Sequence, residues 1–268
     1  MSIDIVIVGA LGRMGIEIAN IVFENNTLKL KGCVEYPGHP RIGEDYGICI
    51  GKGPVGVSLS DSVDKIDYRN AVIIDFSSPV STRKLLEMAA VEKMNIVVGT
   101  TGLGQSDQSL FSDAAKKSAV LTSPNMSLGV NILFALTELV ASRLKNDFDI
   151  EIIEAHHRFK KDSPSGTAKR LGEIAAECIG LSYDQAIKNG REGIASGERS
   201  RTEIGMHAVR GGDIVGDHTV LFAGIGERIE LRHVAHNRSV LAKGAVTAAM
   251  WINGKTAGLY SMKDVLAL

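Results

Sequence analysis

Hydrophobic residues in the first half of the chain form short, mostly apolar runs, of which residues 3–8 are near-continuous, and longer segments with helical spacing separate them. Unbroken apolar runs are typical of strands that a parallel sheet buries on both faces. The runs that we interpret as strands cover residues 3–8, 28–34, 71–76, 95–99 and 119–122. The segments with helical spacing cover residues 14–24, 80–93 and 108–117. This alternation predicts an α/β fold built on a Rossmann-like, doubly wound parallel sheet.

The pattern changes after Pro124. Helices are predicted at 129–145, 168–178 and 242–253, and a strand at 149–155. Residues 183–200 are polar and contain glycine, which predicts a mobile loop, and β-type runs with turn signals across 202–236 predict an antiparallel meander. We therefore predict a dinucleotide-binding domain and a second α+β domain on a mixed or antiparallel sheet. The predicted bounds are 1–126 with 237–268 for the first domain and 127–236 for the second.

Composition narrows the class of protein. The 268 residues are 44% hydrophobic and 23% charged, as in ordinary globular proteins. A net charge of −1 gives no electrostatic reason to expect a nucleic-acid or membrane partner, and no apolar run approaches the roughly 20 residues of a membrane span. The three cysteines form no CxxC pair, and the first residues form a strand rather than a signal peptide. These features predict a cytoplasmic location.

A glycine-rich turn, Gly9-Ala-Leu-Gly-Arg-Met-Gly15, follows the first predicted strand. Its glycines suit a tight turn, a close approach of backbone to a pyrophosphate and close packing of the next helix, and Arg13 adds a cation. Glu35 ends the second strand, 20 positions after Gly15, where a carboxylate can bind a ribose diol. A plain strand–helix turn is the alternative, but strand, helix and acidic residue together predict a dinucleotide cofactor.

Two further turns follow later strands, Gly99-Thr-Thr-Gly102 and Ser123-Pro-Asn-Met126. Ligands of open α/β sheets bind beyond the carboxyl ends of the strands, where both turns fall. Each turn alone would be ordinary turn chemistry, and together they support the cofactor site.

Residues 154–168 form the segment richest in reactive side chains, Glu-Ala-His-His-Arg-Phe-Lys-Lys-Asp-Ser-Pro-Ser-Gly-Thr-Ala. The segment joins a strand end to a helix start, whose N–H groups suit a carboxylate or phosphate. His156 and His157 could instead be ordinary strand residues, one buried and one solvated, and Arg158 and Lys161 are expected to be solvated charges. The spacing supports no metal site, and neither a GxSxG motif nor a nearby cysteine supplies a nucleophile. The segment therefore predicts an anion site that can move protons.

In this order along the chain, these blocks resemble the bacterial dihydrodipicolinate reductase family, now called the 4-hydroxy-tetrahydrodipicolinate reductases. The resemblance covers nearly the whole chain and is most specific in the pattern His-His-Arg-x-Lys-x-Asp-x-Pro-Ser-Gly-Thr. The matching segments are residues 9–15 with Glu35, 99–102, 123–131, 154–168 and 210–220.

The resemblance implies that the chain uses NADH and/or NADPH to reduce a cyclic imine bearing two carboxylates, in lysine and diaminopimelate biosynthesis. It assigns His156 and Lys160 to proton transfer, and His157, Gly166 and Thr167 to the substrate. It also implies a homotetramer that assembles through the second, substrate-binding domain. The cofactor residues that it implies are Gly9, Ala10, Leu11, Gly12, Arg13, Met14, Glu35, Gly99, Thr100, Thr101, Ser123, Pro124, Asn125 and Met126.

The side-chain chemistry agrees with these roles. The helix start at Ser165, Gly166 and Thr167 and the ammonium of Lys160 would hold a dicarboxylate. Hydride addition to one atom requires a proton at its neighbour, and a positioned acid can supply it. Lys160 is our first choice as the proton donor, and His156 is the second.

Two positions depart from the pattern of several relatives. Phe159 stands in place of another histidine, which removes one candidate acid. Tyr36 follows Glu35 where an arginine often holds a 2′-phosphate, so we expect NADH to be used at least as well as NADPH. A strong preference for NADPH would instead implicate Arg41 or Lys52.

Two other functions stay open from the sequence. Another nicotinamide-dependent oxidoreductase, acting on an amino-acid or sugar derivative, would share the first half but would not need the histidine–lysine strand end. A non-catalytic NAD(H)-responsive binding protein would be expected to carry a basic helix or a separate recognition motif, and the sequence shows neither.

Overall fold

The computed structural model describes residues 2–195 and 197–268, apart from the side chain of Asn146. The chain divides into two compact units, one formed by Met1–Leu128 with Ser239–Leu268 and the other by Gly129–Arg238. Each unit has its own sheet and its own hydrophobic core. Within the described residues, no helix combines the length and the apolar character that crossing a membrane requires.

The elements of both units follow in chain order. The strands are β1 (Ile3–Val8), β2 (Leu28–Val34), β3 (Leu59–Ser60), β4 (Val72–Asp75), β5 (Asn95–Val98), β6 (Ala119–Thr122), β7 (Asp149–His156), β8 (Ile187–Asn189), β9 (Ile204–Arg210), β10 (Gly216–Ala223), β11 (Arg228–Ala235) and β12 (Gly258–Tyr260). The helices are α1 (Arg13–Glu24), α2 (Tyr46–Cys49), α3 (Pro79–Val91), α4 (Gln108–Ala115), α5 (Leu128–Leu144), α6 (Gly166–Cys178), α7 (Tyr183–Ala186), α8 (Ser239–Ile252) and α9 (Met262–Leu266).

The sheet of the first unit has seven strands in the order β12-β6-β5-β4-β1-β2-β3, and every neighbouring pair is parallel. The prediction of a doubly wound parallel sheet is therefore confirmed. The pattern missed β3 and β12 because strands of two and three residues are too short to produce a hydrophobic run.

Strand β1 shows why its sequence is almost wholly apolar. Ile5 and Ile7 belong to one core cluster, whereas Val6 and Val8 belong to another, so alternate side chains enter opposite layers. Helices α1 and α8 supply side chains to the first cluster, and α3 and α4 supply them to the second. The sheet is thus buried on both faces at β1, as the near-continuous apolar run of residues 3–8 predicted.

The sheet of the second unit has five strands in the order β11-β10-β7-β9-β8. Strand β7 pairs antiparallel with β10 and parallel with β9, so the sheet is mixed. The predicted antiparallel meander across residues 202–236 is therefore wrong for β9, which is separated from β10 by β7. Period-two alternation identifies a strand but carries no information about its partner, and β7 lies outside the segment that suggested the meander.

The predicted mobile loop at residues 183–200 also needs correction. Its first part contains α7 and β8. The side-chain oxygen of Gln185 accepts hydrogen bonds from the N–H and the hydroxyl of Ser182 at the start of α7. Farther along, Arg191 and Arg199 pair with Glu151 of β7 at 2.7 and 2.9 Å. Ion pairs to a residue about 40 positions away leave no signal in local composition.

Within the described residues, helices α5 and α6 cover one face of this second sheet. On the other face Ile153 is opposite Thr219 and His207 in the strand register. Ile153, Val209 and Val234 are 39%, 48% and 41% exposed, which leaves apolar side chains on a sheet surface within the part of the chain that the structure describes.

Candidate active site

The glycine turn after β1 leaves almost no room for side chains. Gly9 has a φ of 78°, and a Cβ atom placed there would lie 2.5 Å from the carbonyl oxygen of Phe76. A Cβ on Gly15 would lie 2.3 Å from the carbonyl oxygen of Gly9, so helix α1 packs directly on the turn. Gly12 is the residue before α1, and its exposed backbone faces away from the core. These features are those expected of a turn that approaches a pyrophosphate.

The carboxylate of Glu35 is already held beside this turn. Its Oε2 atom accepts a hydrogen bond of 3.0 Å from the N–H of Leu11, and its Oε1 atom accepts one of 3.1 Å from the N–H of Tyr36. Because each carboxylate oxygen can accept a second bond, Glu35 can still receive the hydroxyls of a ribose.

A cleft of about 520 Å³ opens where β1, β2 and β4 end. Gly9, Gly12 and Glu35 line this cleft. The other lining residues are Val8, Val34, Tyr36, Pro37, Asp61, Ser62, Val63, Phe76, Ser77, Ser78, Val80, Ser81, Lys84, Leu85 and Met88. Its volume lies within the range of small-molecule sites, and a carboxylate beside a glycine turn suits the ribose diol of a dinucleotide.

The remaining predicted residues of the glycine turn do not line the cleft. Ala10 is fully buried, and Leu11 and Met14 pack against the hydrophobic core. Arg13 is exposed at the start of α1. The turn therefore offers mainly its backbone to a ligand.

Asp75, at the end of β4, is a buried carboxylate that the sequence analysis missed. It accepts hydrogen bonds from the hydroxyls of Ser77, Thr82 and Thr100 at 2.5, 2.5 and 3.2 Å, and it is fully buried. Burial raises the pKa of this carboxyl, and the hydrogen bonds oppose that effect. The network joins the residues after β4 to the turn after β5. The sequence signal was available, because an acidic residue ends an otherwise apolar run.

The two later turns lie at the ends of β5 and β6. The N–H of Gly99 donates to the carbonyl oxygen of Asp75 at 2.9 Å, and a Cβ on Gly99 would lie 2.2 Å from the ring of Phe76. Thr100 is half-buried and Thr101 is exposed. In the turn after β6, Ser123, Pro124 and Asn125 reach the surface to different degrees, whereas the side chain of Met126 is buried in the core.

Tyr46, on the short helix α2, is a second residue that the sequence analysis missed. It is fully buried, and its hydroxyl donates a hydrogen bond of 2.8 Å to the carbonyl oxygen of Ala10. Asp45 caps α2 by accepting from the N–H groups of Gly47 and Ile48. The segment between β2 and β3 thus supports the glycine turn from the protein interior. The sequence does not reveal this contact, because the two residues are 36 positions apart.

In the second unit, the histidine–lysine segment begins at the end of β7. His156 is almost fully buried, and its Nδ1 atom lies 2.6 Å from Oε2 of Glu154. Arg210 of β9 binds both carboxylate oxygens of Glu154, each at 2.8 Å. Burial opposes ionisation of Glu154, but Arg210 and His156 together hold the pKa of its carboxyl below the usual value.

Ser165 connects the same cluster to the start of α6. Its hydroxyl accepts a bond of 3.2 Å from the N–H of Ala168 and lies 3.0 Å from Nε2 of His218, and its own N–H donates to Glu154 at 3.0 Å. Burial, followed by the nearby charge of His156, lowers the pKa of His218 to about 4. Gly166 is exposed at the first position of the helix, and Thr167 is half-buried.

His157 and Lys160 lie closer to the surface than His156. The Nε2 atom of His157 is 3.3 Å from the guanidinium of Arg238, and the ammonium of Lys160 is 2.8 Å from the carboxylate of Asp162. The alternative that both histidines are strand residues holds only for His156, which is buried at the end of β7, because His157 follows the strand and is partly exposed. The expectation that Arg158 and Lys161 are exposed charges is confirmed.

The structure thus gathers His156, Lys160 and Ser165 around the end of β7. It adds Glu154 from the same strand, Arg210 from β9 and His218 from β10. The described residues contain no group of three or more His, Cys, Asp or Glu side chains that could hold a metal ion. This cluster presents cations, imidazoles and a helix start, which suit an anionic ligand.

The parallel sheet, the glycine turn and the acidic residue at the end of β2 define a Rossmann-like dinucleotide-binding protein. Comparison with known families shows to which family within this class the chain belongs. The family models described as dihydrodipicolinate reductase, N-terminus and C-terminus, match residues 3–126 and 129–266. The chain therefore belongs to the dihydrodipicolinate reductase family.

Several curated relatives match over the full length. A protein of Trichlorobacter lovleyi named 4-hydroxy-tetrahydrodipicolinate reductase is 47% identical over 266 residues, which cover 99% of each chain. A protein of the same name from Pelobacter propionicus is 46% identical with the same coverage.

Solved structures support the fold. The dipicolinate-bound dihydrodipicolinate reductase from Paenisporosarcina sp. TG-14 aligns with a TM-score of 0.76 at 23% identity, over 97% of this chain and 98% of the other. The amine dehydrogenase from Mycobacterium smegmatis aligns with a TM-score of 0.61 at 13% identity, over 98% of this chain and 95% of the other.

The support that Tyr46 gives to the glycine turn can be tested with Tyr46→Phe. The change leaves the buried carbonyl oxygen of Ala10 without its donor, so we expect the free energy of unfolding to fall by about 1 kcal/mol. Binding of reduced nicotinamide, followed by fluorescence titration, is expected to weaken several-fold. Tyr68→Phe is the matched control, because the Tyr68 hydroxyl bonds the exposed Glu92. Equal effects of the two changes would contradict the assignment.

Proposed function

We propose that the chain is an NAD(P)H-dependent oxidoreductase that reduces 4-hydroxy-tetrahydrodipicolinate to tetrahydrodipicolinate in lysine and diaminopimelate biosynthesis. Family membership across both units and the names of the full-length relatives support this activity. The structural observation that carries it is the cluster of His156, Lys160 and the α6 start at one strand end. The two alternative functions are disfavoured because the family match continues through the second unit.

The cofactor site in this proposal uses the first unit. Gly9 and Gly12 present backbone to the pyrophosphate, and Glu35 accepts the ribose hydroxyls. The turns that follow β5 and β6, at Gly99 and Ser123, complete the site at the same edge of the sheet. The bound nicotinamide supplies the hydride, and the chain itself supplies binding and protons.

The substrate site in this proposal uses the second unit. A carboxylate of the substrate accepts hydrogen bonds at the α6 start, where Ser165 is already oriented by its cap to Ala168. The cationic side chain of Lys160 and the partly exposed ring of His157 lie on the same strand end and bind the remaining polar groups. Thr167 contributes at the second position of the helix.

Lys160 and His156 supply the proton that must follow hydride addition. The ammonium of Lys160 carries three donors and reaches the surface of the strand end, so it is the first choice. His156 is more deeply buried, and burial lowers the pKa of its imidazole against the opposing effect of Glu154. A positioned acid of this kind typically contributes about 10²- to 10⁴-fold in rate.

The activity is tested by following the oxidation of NADH and NADPH with enzymatically generated substrate. Pyridine-2,6-dicarboxylate, a planar dicarboxylate that occupies one structural relative, is expected to inhibit competitively. Absence of turnover with both cofactors would overturn the proposal.

Lys160→Ala is expected to lower kcat by about 10²-fold or more, because it removes the proton donor. Affinity for the reduced nicotinamide should stay unchanged, because the cofactor residues belong to the first unit. Lys161→Ala is the matched control, since Lys161 is an adjacent exposed lysine. A Lys160→Ala variant as active as the Lys161→Ala control would transfer the role to His156.

Cofactor preference follows from the side chains beyond Glu35. Tyr36 is 59% exposed and packs its ring edge-on against His39 at 5.2 Å, and it brings no positive charge. Arg41 is engaged with Glu44 and with the carbonyl oxygen of Cys49. Neither Arg41 nor Lys52 lines the cleft, whereas Lys84 does.

We therefore expect kcat/KM with NADH to equal or exceed that with NADPH in side-by-side kinetics. Tyr36→Arg should shift the ratio towards NADPH by adding a cation that can pair with the 2′-phosphate. A strong NADPH preference of the unmodified chain would contradict the first expectation, and its loss in Lys84→Met would then identify Lys84 as the phosphate ligand.

We also propose a homotetramer in the cytoplasm. The apolar side chains Ile153, Val209 and Val234 on the uncovered face of the second sheet support self-association there. Light scattering should give four times the mass of the 28.6 kDa chain. Ile153→Lys is expected to dissociate the assembly. A monomeric mass for the unmodified chain would contradict the proposed tetramer.

A further inference from the structure

Glu154 is a fully buried carboxylate whose acceptor positions are all engaged. Its Oε2 atom lies 2.6 Å from Nδ1 of His156 and 2.8 Å from Nη1 of Arg210. Its Oε1 atom lies 2.8 Å from Nη2 of Arg210 and 3.0 Å from the N–H of Ser165. A carboxylate bound in this way by a bidentate guanidinium stays ionised inside a protein.

We propose that Glu154, held by Arg210, is a positioning residue that sets the protonation and orientation of His156 and ties this ring to the substrate-binding start of α6. The proposal rests on the proposed reductase function. Glu154 acts through His156 and Ser165, and it needs no contact with substrate.

The tautomer of His156 follows from the acceptor beside it. An ionised carboxylate can only accept, so the Nδ1 atom of His156 must carry the proton in their 2.6 Å contact. The Nε2 atom is then the ring position left to exchange protons. Gly216 keeps the space beside this atom open, because a Cβ placed there would lie 3.2 Å from Nε2. In carboxylate–histidine pairs, one ring nitrogen typically donates to the carboxylate and the other is left for proton exchange.

Burial and four neighbouring side chains affect the charge of the His156 imidazole. Burial lowers the pKa of the imidazole, Glu154 raises it, and Lys160 and Arg210 lower it further. His218 of β10 lies edge-on at 5.0 Å between ring centroids and is itself held neutral by burial. Glu154 is thus the anion that offsets two cations, and neutralising it must lower the pKa of His156.

Glu154 also fixes the distance between the ring and the helix start. Ser165 is the cap of α6, and its backbone N–H is bonded by the same carboxylate that binds His156. A shift of this carboxylate would therefore move the proton-transferring group and the anion-binding group together. Displacements of about 1 Å in such an arrangement can cost about 10²-fold in rate.

The first test is Glu154→Gln, which preserves shape and removes the charge. We expect kcat to fall about 10- to 100-fold while KM for the reduced nicotinamide stays unchanged. In ¹⁵N-histidine NMR spectra, the unmodified chain should show His156 protonated at Nδ1, and the variant should show a lower pKa for this ring. Loss of the His156 signals in His156→Asn assigns them.

Glu151→Gln is the matched control. Glu151 lies on the same strand and is also paired with arginines, but the pairing is with Arg191 and Arg199. This change should leave the His156 signals and kcat near those of the unmodified chain. If Glu154→Gln behaves like this control, the proposal is overturned.

A double variant, Glu154→Gln with Arg210→Gln, covers the case in which the single variant fails to fold because Arg210 is left unpaired. A folded double variant should keep the low kcat. Its His156 pKa should fall less than in the single variant, because Arg210 itself lowers this pKa. Recovery of kcat would mean that Glu154 serves only as a counterion to Arg210. If neither variant folds, the NMR spectrum of the unmodified chain still tests the inference. A His156 ring that carries no proton at Nδ1 would overturn it. Because the NMR readout does not use turnover, it stays independent of whether the proposed reductase activity holds.

Discussion

Burial of strand β1 on both faces is the constraint from which the first unit follows. Its alternate side chains enter two separate core clusters, and the parallel neighbours β2 and β4 satisfy its backbone on both edges. Parallel neighbours bring all their carboxyl ends to one edge of the sheet. The residues that directly follow those ends are Gly9, Glu35, Phe76, Gly99 and Ser123. The proposed cofactor site therefore results from the way the core is buried.

Each unit contains a buried carboxylate that links several segments, but the two environments shift the carboxyl pKa in opposite directions. Asp75 is surrounded by hydroxyls and a backbone N–H, and burial raises the pKa of its carboxyl. Glu154 is bound by Arg210 and His156, and these partners lower the pKa of its carboxyl despite burial. A formal positive charge compensates desolvation far better than neutral donors do. Asp75 consequently suits a role in joining loops, whereas Glu154 can act as a permanent anion.

The two sheets also differ in what covers them. Helices pack on both faces of the first sheet, which accounts for its continuous apolar strands. The second sheet has helices on one face, and its strands alternate in burial along β7 and β10. Alternation predicts polar side chains on the other face, but apolar residues such as Ile153 are exposed there. Self-association would bury them.

The sequence by itself determined the features that depend on neighbouring residues. Mostly apolar runs located β1 and β6, the glycine spacing located the turn after β1, and residues 154–168 marked the segment that we propose transfers protons. Tertiary structure alone decided which strands pair and which side chains meet. The partnership of Glu154 with Arg210 spans 56 positions, and Tyr46 reaches Ala10 across 36. Such contacts leave no local pattern, because they arise only when the core brings distant segments together.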